Sequence, residues 1–452
     1  MTVSLNDCTY CVLTFGCQMN KHDAERVSGM LEALGAVHVP TLEEADIAVF
    51  MTCCVREAAE VRLFGQIASC KNVPVRTGSP LAQRIIAIGG CIGERDGDEL
   101  LTRFPHVSVV FGTHSLASLP GMLKRCLSDR VRQSDTSDTA DAFSTDLPTK
   151  REHAWAAWLP IMTGCDNFCS YCIVPYVRGR ERSRTIEDVV TEAQRYVDAG
   201  VKEITLLGQN VNSFGRDRYG APRFAELLQR IDATGIERLR FVTSHPKDLS
   251  DEVIAAFADL RSLMPALHLP FQSGSDRILQ AMNRSYTRAH YLSLIAKLKQ
   301  ACPSLALSTD IIVGFPGETE EDFGATCEMV CQVGFSQAFT FIYSPRSGTP
   351  AAQMRDTLPR EIVQERFDRL VALVQEEAYR FNRAAQGRTL AVLVEGVSKR
   401  DARVLAGKSP QNQTVHAALP DDLDIEQLIG TIVPVRIDET KTWYLSGEVM
   451  RG

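Results

Sequence analysis

The chain has 452 residues, 44% of them apolar and 23% charged, and a net charge of −7. These proportions exclude a disordered or collagen-like chain, and no apolar run approaches the ~18 residues of a membrane span. The length predicts roughly three domains with ample core, and an N-terminus unlike a signal peptide predicts a cytoplasmic protein whose 14 cysteines stay reduced.

In the first segment, Tyr10–Phe15, Ile47–Met51, Ile85–Ile88 and Val107–Phe111 are short apolar runs rich in β-branched or aromatic residues. Longer mixed stretches, His22–Leu34 and Arg56–Cys70, lie between them. This alternation predicts an α/β domain with an open parallel sheet over residues 7–125. Residues 126–150, dominated by Ser, Thr and Asp from 128 onward, read as a linker. Over residues 151–383 the alternation resumes, with strands expected at Trp158–Met162, Glu203–Leu207, Leu239–Thr243, Ala266–Leu269, Leu307–Val313 and Ala338–Tyr343. Phe224, Leu227, Leu228 and Ile231 trace one buried helical face, and Thr185 and Thr319 each precede an Asp by three residues as helix caps. Six such units predict a partial (β/α)6 barrel with its site at the C-terminal ends of the strands.

A long polar helix is expected over 361–386. Residues 384–452 read as a small all-β barrel, with runs at Leu390–Val394, Ile432–Ile437 and Trp443–Val449 and a Gly/Ser/Pro/Asn-containing stretch, Ser398–Asn412, between them. From Arg388 onward it carries eight basic against nine acidic side chains. Any polyanion partner must therefore be met by local patches rather than by net charge.

The strongest chemical signal is Cys165-Asp-Asn-Phe-Cys169-Ser-Tyr-Cys172, a C-x3-C-x2-C triplet. Three soft thiolates in one loop suit a 4Fe–4S cluster with one iron left open, whereas a zinc site asks for four ligands and a ferredoxin for a fourth cysteine. A second signal is dispersed. Cys17, Cys53 and Cys91 each follow the C-terminal end of an expected parallel strand, where ligands converge in open α/β sheets. They could hold a second cluster, or be buried free thiols. Cys54 adjoins Cys53; neighbouring strand side chains point to opposite faces, which favours a single ligand, and the Thr-Cys placement favours Cys53. The third signal is Arg178-Gly-Arg180-Glu-Arg182-Ser-Arg184, either a substrate- or cofactor-contacting basic patch or a solvated strand.

Together these stretches resemble the radical S-adenosylmethionine (SAM) methylthiotransferases. The resemblance extends through Thr14-Phe-Gly-Cys-Gln-Met-Asn20, Thr52-Cys-Cys-Val-Arg-Glu57, Gly89-Gly-Cys91, Leu207-Gly-Gln-Asn-Val-Asn-Ser213, Thr243-Ser-His-Pro246, His268-Leu-Pro-Phe-Gln-Ser-Gly-Ser275, Thr309-Asp-Ile-Ile-Val-Gly-Phe-Pro-Gly-Glu-Thr319 and Tyr343-Ser-Pro-Arg346. Val394-Glu-Gly-Val-Ser-Lys-Arg400 resembles a TRAM domain, an RNA-binding β-barrel. The family usually carries Ser or Ala where this chain has Cys54.

The resemblance implies two 4Fe–4S clusters, a radical SAM cluster on Cys165, Cys169 and Cys172 and an auxiliary one on Cys17, Cys53 and Cys91. It implies two SAM molecules per turnover, one cleaved to a radical that takes hydrogen from C2 of an adenine and one that methylates the inserted sulfur. The substrate implied is N6-dimethylallyladenosine beside the anticodon in a tRNA loop. The alternatives are threonylcarbamoyl-adenosine in tRNA, a ribosomal-protein aspartate or, from another class, a non-catalytic iron–sulfur RNA-binding redox sensor. Gln209 and Gln272, after the second and fourth barrel strands, are candidate SAM or substrate contacts or ordinary loop hydrogen-bonders. Arg178, Arg180, Arg182 and Arg184 are candidate RNA or substrate contacts. Implied partners are the tRNA anticodon loop, an electron donor such as flavodoxin or ferredoxin, and proteins that supply sulfur or clusters, with no membrane.

Overall fold

Six parallel strands make the first sheet: β1 (Thr9–Thr14), β2 (Val37–His38), β3 (Ile47–Thr52), β4 (Ile85–Gly90), β5 (Val109–Phe111) and β6 (Gln133–Asp135), in the order β2-β1-β3-β4-β5-β6. The structure, a computed structural model, describes residues 4–54, 57–138, 147–420 and 423–451. It divides into two compact units, the first comprising Met1–Glu152, Thr163–Asp166 and Cys172–Glu181 and the second the remainder.

In the first unit β3 and β4 are buried along their whole length, as near-continuous apolar strands in a parallel sheet must be. Alternate side chains serve opposite faces. Ile47, Val49 and Met51 join one apolar core with Val27, Leu31 and Leu123, while Ala48 and Phe50 join another with Leu63, Ile67 and Ile92. The helices α1 (Gln18–Ala33), α2 (Glu57–Cys70), α3 (Cys91–Asp96), α4 (Asp98–Arg103), α5 (Leu119–Asp129) and α6 (Val174–Arg178) complete this unit. Arg56, the first residue of the expected stretch Arg56–Cys70, lies outside the described residues, as does Val55.

The expected linker is corrected in part. Its first residues continue α5 to Asp129, and Gln133–Asp135 forms an edge strand paired with β5. Polar residues suffice there because the strand is held by backbone pairing and by Gln133, whose amide donates to the Met122 carbonyl at 2.7 Å. Residues 139–146 of that stretch lie outside the described residues. The N-terminal unit also differs from the expected 7–125 span, because α6 contributes Ile173 and Val177 to its second core.

In the second unit, six parallel strands form a partial barrel. β7 (Ala156–Pro160) leads, followed in the chain by two short strands flanking the cysteine loop, β8 (Met162–Thr163) and β9 (Arg182–Ser183). Then come β10 (Glu203–Leu207), β11 (Arg238–Phe241), β12 (Ala266–His268), β13 (Ala306–Val313) and β14 (Gln337–Ile342). They pair as β11-β10-β7 and β12-β13-β14, and a Leu239–Leu263 bridge links the two halves. Phe224, Leu227, Leu228 and Ile231 are buried as the periodicity requires. Thr319 makes a full capping box with Asp322, whereas Thr185 caps through Asp188 N–H alone.

The helix Arg360–Arg383 packs Leu370 and Val374 into the barrel core and leads to a closed five-stranded barrel, β15 (Thr389–Val397), β16 (Val404–Lys408), β17 (Thr414–Ala418), β18 (Ile432–Thr440) and β19 (Tyr444–Val449). Strand β16 falls within the stretch read from sequence as the connection Ser398–Asn412. Its Gly407 is required by close packing, since a β-carbon there would lie 2.3 Å from the Leu393 carbonyl oxygen. Asp421 and Asp422 lie outside the described residues. Arg238 and Arg240 on β11 hold this small barrel through the carbonyls of Ala391 (2.6 Å), Lys408 (3.0 Å), Ser409 (3.0 Å) and Pro410 (3.0 Å).

Candidate functional site

Strands β1, β3 and β4 are sheet neighbours, and their C-terminal ends carry Cys17, Cys53 and Cys91. Cys17 is the N-cap residue of α1, and Cys91 opens α3 behind Gly90 at φ +89°. Gly16, at φ +120°, lets the chain turn over Cys53. Thr52 ties the sheet edge together, donating to the Gly89 carbonyl at 2.7 Å and accepting from Ile92 N–H at 3.1 Å.

The four thiols meet in pairs. Cys53 hydrogen-bonds Cys17, and Cys54 hydrogen-bonds Cys91. The adjacent residues thus take different partners just past the end of β3, and Cys54 sinks into the core beside Phe50 and Leu63. The Cys53 hydrogen bond leads in drawing the Cys17 thiol down to about 6, helped against burial by Arg178 and by the N–H groups of Asn20 and Met19. Cys91 is drawn down to about 7 by Cys54, again with help from Arg178, while Cys54, the donor, is pushed far up. Among the described residues no three His, Cys, Asp or Glu side chains are close enough to enclose a single metal ion. A four-iron cube spreads its thiolates more widely than one ion does, so paired thiols on three adjacent strand ends, two of them drawn toward the thiolate form, fit such a cluster.

Arg178, from α6, is 5% exposed and enters the same site. Its guanidinium donates to Asn20 Oδ1 at 3.4 Å, stands 3.8 Å from Asp23 and hydrogen-bonds the Cys91 thiol. The sequence reading of Arg178 as an RNA contact is therefore revised, since a buried side chain engaged inside the unit cannot face a phosphate backbone. Arg184 is likewise buried, donating to the Pro160 carbonyl at 3.0 Å and pairing with Glu192 at 2.7 Å. Arg182 is half-buried. Arg180 has a largely exposed side chain and pairs with Asp166 at 3.1 Å.

In the cysteine loop, Cys165 and Cys172 belong to the first unit and Cys169 to the second. Gly164, at φ +78°, brings Cys165 N–H to the Gly179 carbonyl at 3.1 Å, and a β-carbon there would overlap the Arg180 carbonyl oxygen at 1.9 Å. In the second unit, Phe168 takes φ +46°, its carbonyl held by Asn283 Nδ2 at 2.8 Å. Arg284 donates to the Cys169 sulfur at 3.6 Å, and Ser170 Oγ donates to the Ala281 carbonyl at 2.8 Å. Asn283 and Arg284 were not anticipated from sequence, since nothing in their local pattern separates them from ordinary turn residues.

At the C-terminal ends of the barrel strands, buried polar atoms of Gln209 (Oε1), Asn210 (Oδ1), Asn212 (Nδ2), Ser244 (Oγ) and Tyr343 (OH) have no hydrogen-bond partner among the described residues. Asn210 and Asn212 are nonetheless fixed, Asn210 by donating to Asp248 at 2.8 Å and Asn212 by accepting from His245 N–H at 3.0 Å. Buried polar groups left without protein partners ask for a polar ligand, which fits SAM. His245 is pulled down to about 2 by burial and by the nearby charges of Arg284 and Lys247, so it stays neutral. Gln272 is buried at φ +65° and pairs through its backbone with Asp310 and Ile312.

Three family models match the chain, the Radical SAM superfamily over residues 159–330, Uncharacterized protein family UPF0004 over 9–112 and the TRAM domain over 383–450. The tRNA-2-methylthio-N(6)-dimethylallyladenosine synthase of Acetivibrio thermocellus is 44% identical over 98% of this chain and 91% of its own. The protein of the same name from Acidothermus cellulolyticus is 48% identical over 91% of this chain and 83% of its own. The chain belongs to the tRNA-2-methylthio-N(6)-dimethylallyladenosine synthase family. Members of the radical SAM superfamily use SAM and a 4Fe–4S cluster, and the Cys165–Cys172 loop lies inside the matched region. The fold agrees. The radical S-adenosylmethionine methyltransferase TsrM from Kitasatospora setae superposes with a TM-score of 0.53 at 11% identity, covering 76% of this chain and 74% of that one. No helix among the described residues is long and apolar enough to cross a membrane.

Proposed function

We propose that this chain inserts sulfur at C2 of N6-dimethylallyladenosine next to the anticodon of tRNA and methylates that sulfur, in the cytoplasm. One observation carries the reading: similarity to synthases of that name runs through 98% of the chain. It favours this substrate over threonylcarbamoyl-adenosine, a ribosomal-protein aspartate or a non-catalytic role.

When bound, the clusters and SAM supply the one-electron chemistry and the methyl group that ordinary side chains cannot, since C2–H is no acid at neutral pH. The chain's residues hold and shield them. Cys165, Cys169 and Cys172 hold the first cluster, with Arg284 orienting the Cys169 sulfur. Cys17, Cys53 and Cys91 hold a second, auxiliary cluster, and Cys54 serves Cys91 as a hydrogen-bond donor. Gln209, Asn210, Asn212 and Ser244 offer unpaired polar atoms to SAM, and neutral His245 adds no charge beside them. Gln272 sits at the same end of the barrel, among the candidate contacts. Ile278, Met282 and Phe315 form an apolar floor with Tyr171 that keeps water out. The target base is splayed from a single-stranded loop, and the TRAM barrel and Arg180 grip the RNA backbone. A flavodoxin- or ferredoxin-type donor supplies electrons, and a separate protein renews the sulfur.

Anaerobically reconstituted protein should bind about eight irons, falling to about four when Cys165, Cys169 and Cys172 are replaced together. Dimethylallylated tRNA should yield the 2-methylthio nucleoside by mass analysis. Product from threonylcarbamoylated tRNA alone would overturn the substrate assignment, and a triple variant that still cleaves SAM would overturn the cluster assignment.

A further inference from the structure

Arg178 has no evident reason to be where it is if its task is RNA. It lies six residues beyond Cys172, yet it reaches the strand ends that carry Cys17 and Cys91 and is withdrawn from solvent. Burying a guanidinium, which never loses its proton, is costly unless anions surround it. Asp23, at 3.8 Å, is one such anion, and the Asn20 amide oxygen is a neutral acceptor. The Cys91 and Cys17 thiols are its other polar neighbours. The fork thus spans the first turn of α1 and the start of α3, two elements that would each supply one ligand.

We infer that Arg178 is a positioning residue of the auxiliary cluster, its buried guanidinium fixed beside the ligand-bearing start of α1 and near Cys91, where its positive charge would set the cluster's reduction potential. The inference rests on the reading that Cys17, Cys53 and Cys91 hold that cluster. A fixed positive charge favours the reduced, more negative state, so its removal makes reduction harder. Lysine keeps the charge but loses the fork, and should restore part of the effect.

The test uses the full chain carrying C165A, C169A and C172A, in which about four irons report the auxiliary cluster alone. R178K and R178M are compared with Arg178 in that background by iron content and by redox titration followed by electron paramagnetic resonance. R178M should move the midpoint negative by about 60 mV or more, a tenfold change in a one-electron ratio, with R178K in between. If R178M fails to load iron while its circular dichroism is unchanged, an iron-loaded R178K with a midpoint more negative than that of the Arg178 chain would support the inference equally. Equal midpoints at equal iron content would overturn it, as would loss of iron in both variants, which marks a purely architectural role. Absence of iron with Arg178 intact would instead defeat the auxiliary-cluster reading itself.

Discussion

Gly16 packs against Cys53 so tightly that a β-carbon on Gly16 would stand 2.2 Å from the β-carbon of Cys53. Its φ of +120° is also one that other residues avoid. Gly16→Ala should therefore cost about 2–4 kcal/mol from overpacking and backbone strain together. Denaturant melts measure the loss, and iron bound per chain should fall with the Cys165/Cys169/Cys172 loop untouched.

Arg184 and Arg180 should separate a structural from an RNA-binding role. Arg184 pairs with Glu192 in the interior, so Arg184→Ala should lose about 3 kcal/mol of stability while folded molecules keep their tRNA affinity. Arg180→Ala should change stability by less than ~0.5 kcal/mol. It should weaken tRNA binding and make the salt dependence shallower by about one unit of slope. Filter binding at several salt concentrations distinguishes the two.

Arg238 and Arg240 reach from the partial barrel to carbonyls of the small barrel, with Glu203 accepting from Arg240 Nε at 2.8 Å. Replacing Arg238 by Ala leaves the Ala391 and Lys408 carbonyls without their donor, at about 2–3 kcal/mol, while Glu203 keeps Arg240. Limited proteolysis near Arg388 should accelerate in Arg238→Ala and further in the double variant with Arg240→Ala.

Asp322 provides a pH test. Burial pushes its carboxyl up, but hydrogen bonds from Arg277, Ser275 (2.5 Å) and Thr319 outweigh burial and hold it below the ordinary carboxylate value of 3.8. Because its folded value is depressed, its contribution is fully present above about pH 4 and is lost as pH falls through the folded value. Asp322→Ala should cost about 2 kcal/mol at pH 7. Its stability should also fall less steeply than that of the unaltered chain below pH 4, as followed by acid titration of circular dichroism.

Much of this was legible in the sequence because burial imposes periodicity. Ile47–Thr52 and Ile85–Gly90 announced themselves as apolar runs, and the cysteines that follow them are found by counting from the strand ends. Gln133–Asp135 and Val404–Lys408 did not, since an edge strand and a small barrel's glycine-bearing strand are held mainly by backbone pairing. Within the Arg178–Arg184 run, the burial of Arg178 and Arg184 was hidden for a related reason. Charge content is visible in sequence, but which of four arginines meets an internal anion depends on contacts with Asp23 and Glu192, distant or unremarkable in the chain.

The first unit is not finished where its sheet ends. Ile173 and Val177 sit in its second apolar core, and Arg178 lies in its cysteine site, although these residues follow the opening strand of the barrel in the chain. During synthesis the nascent unit would wait, with part of its interior uncovered, until residue 181 had left the ribosome. A gene fragment ending at Glu152 should accordingly yield an aggregation-prone product rather than an autonomous domain, and the natural point of division between the units is not a cut in the chain at all.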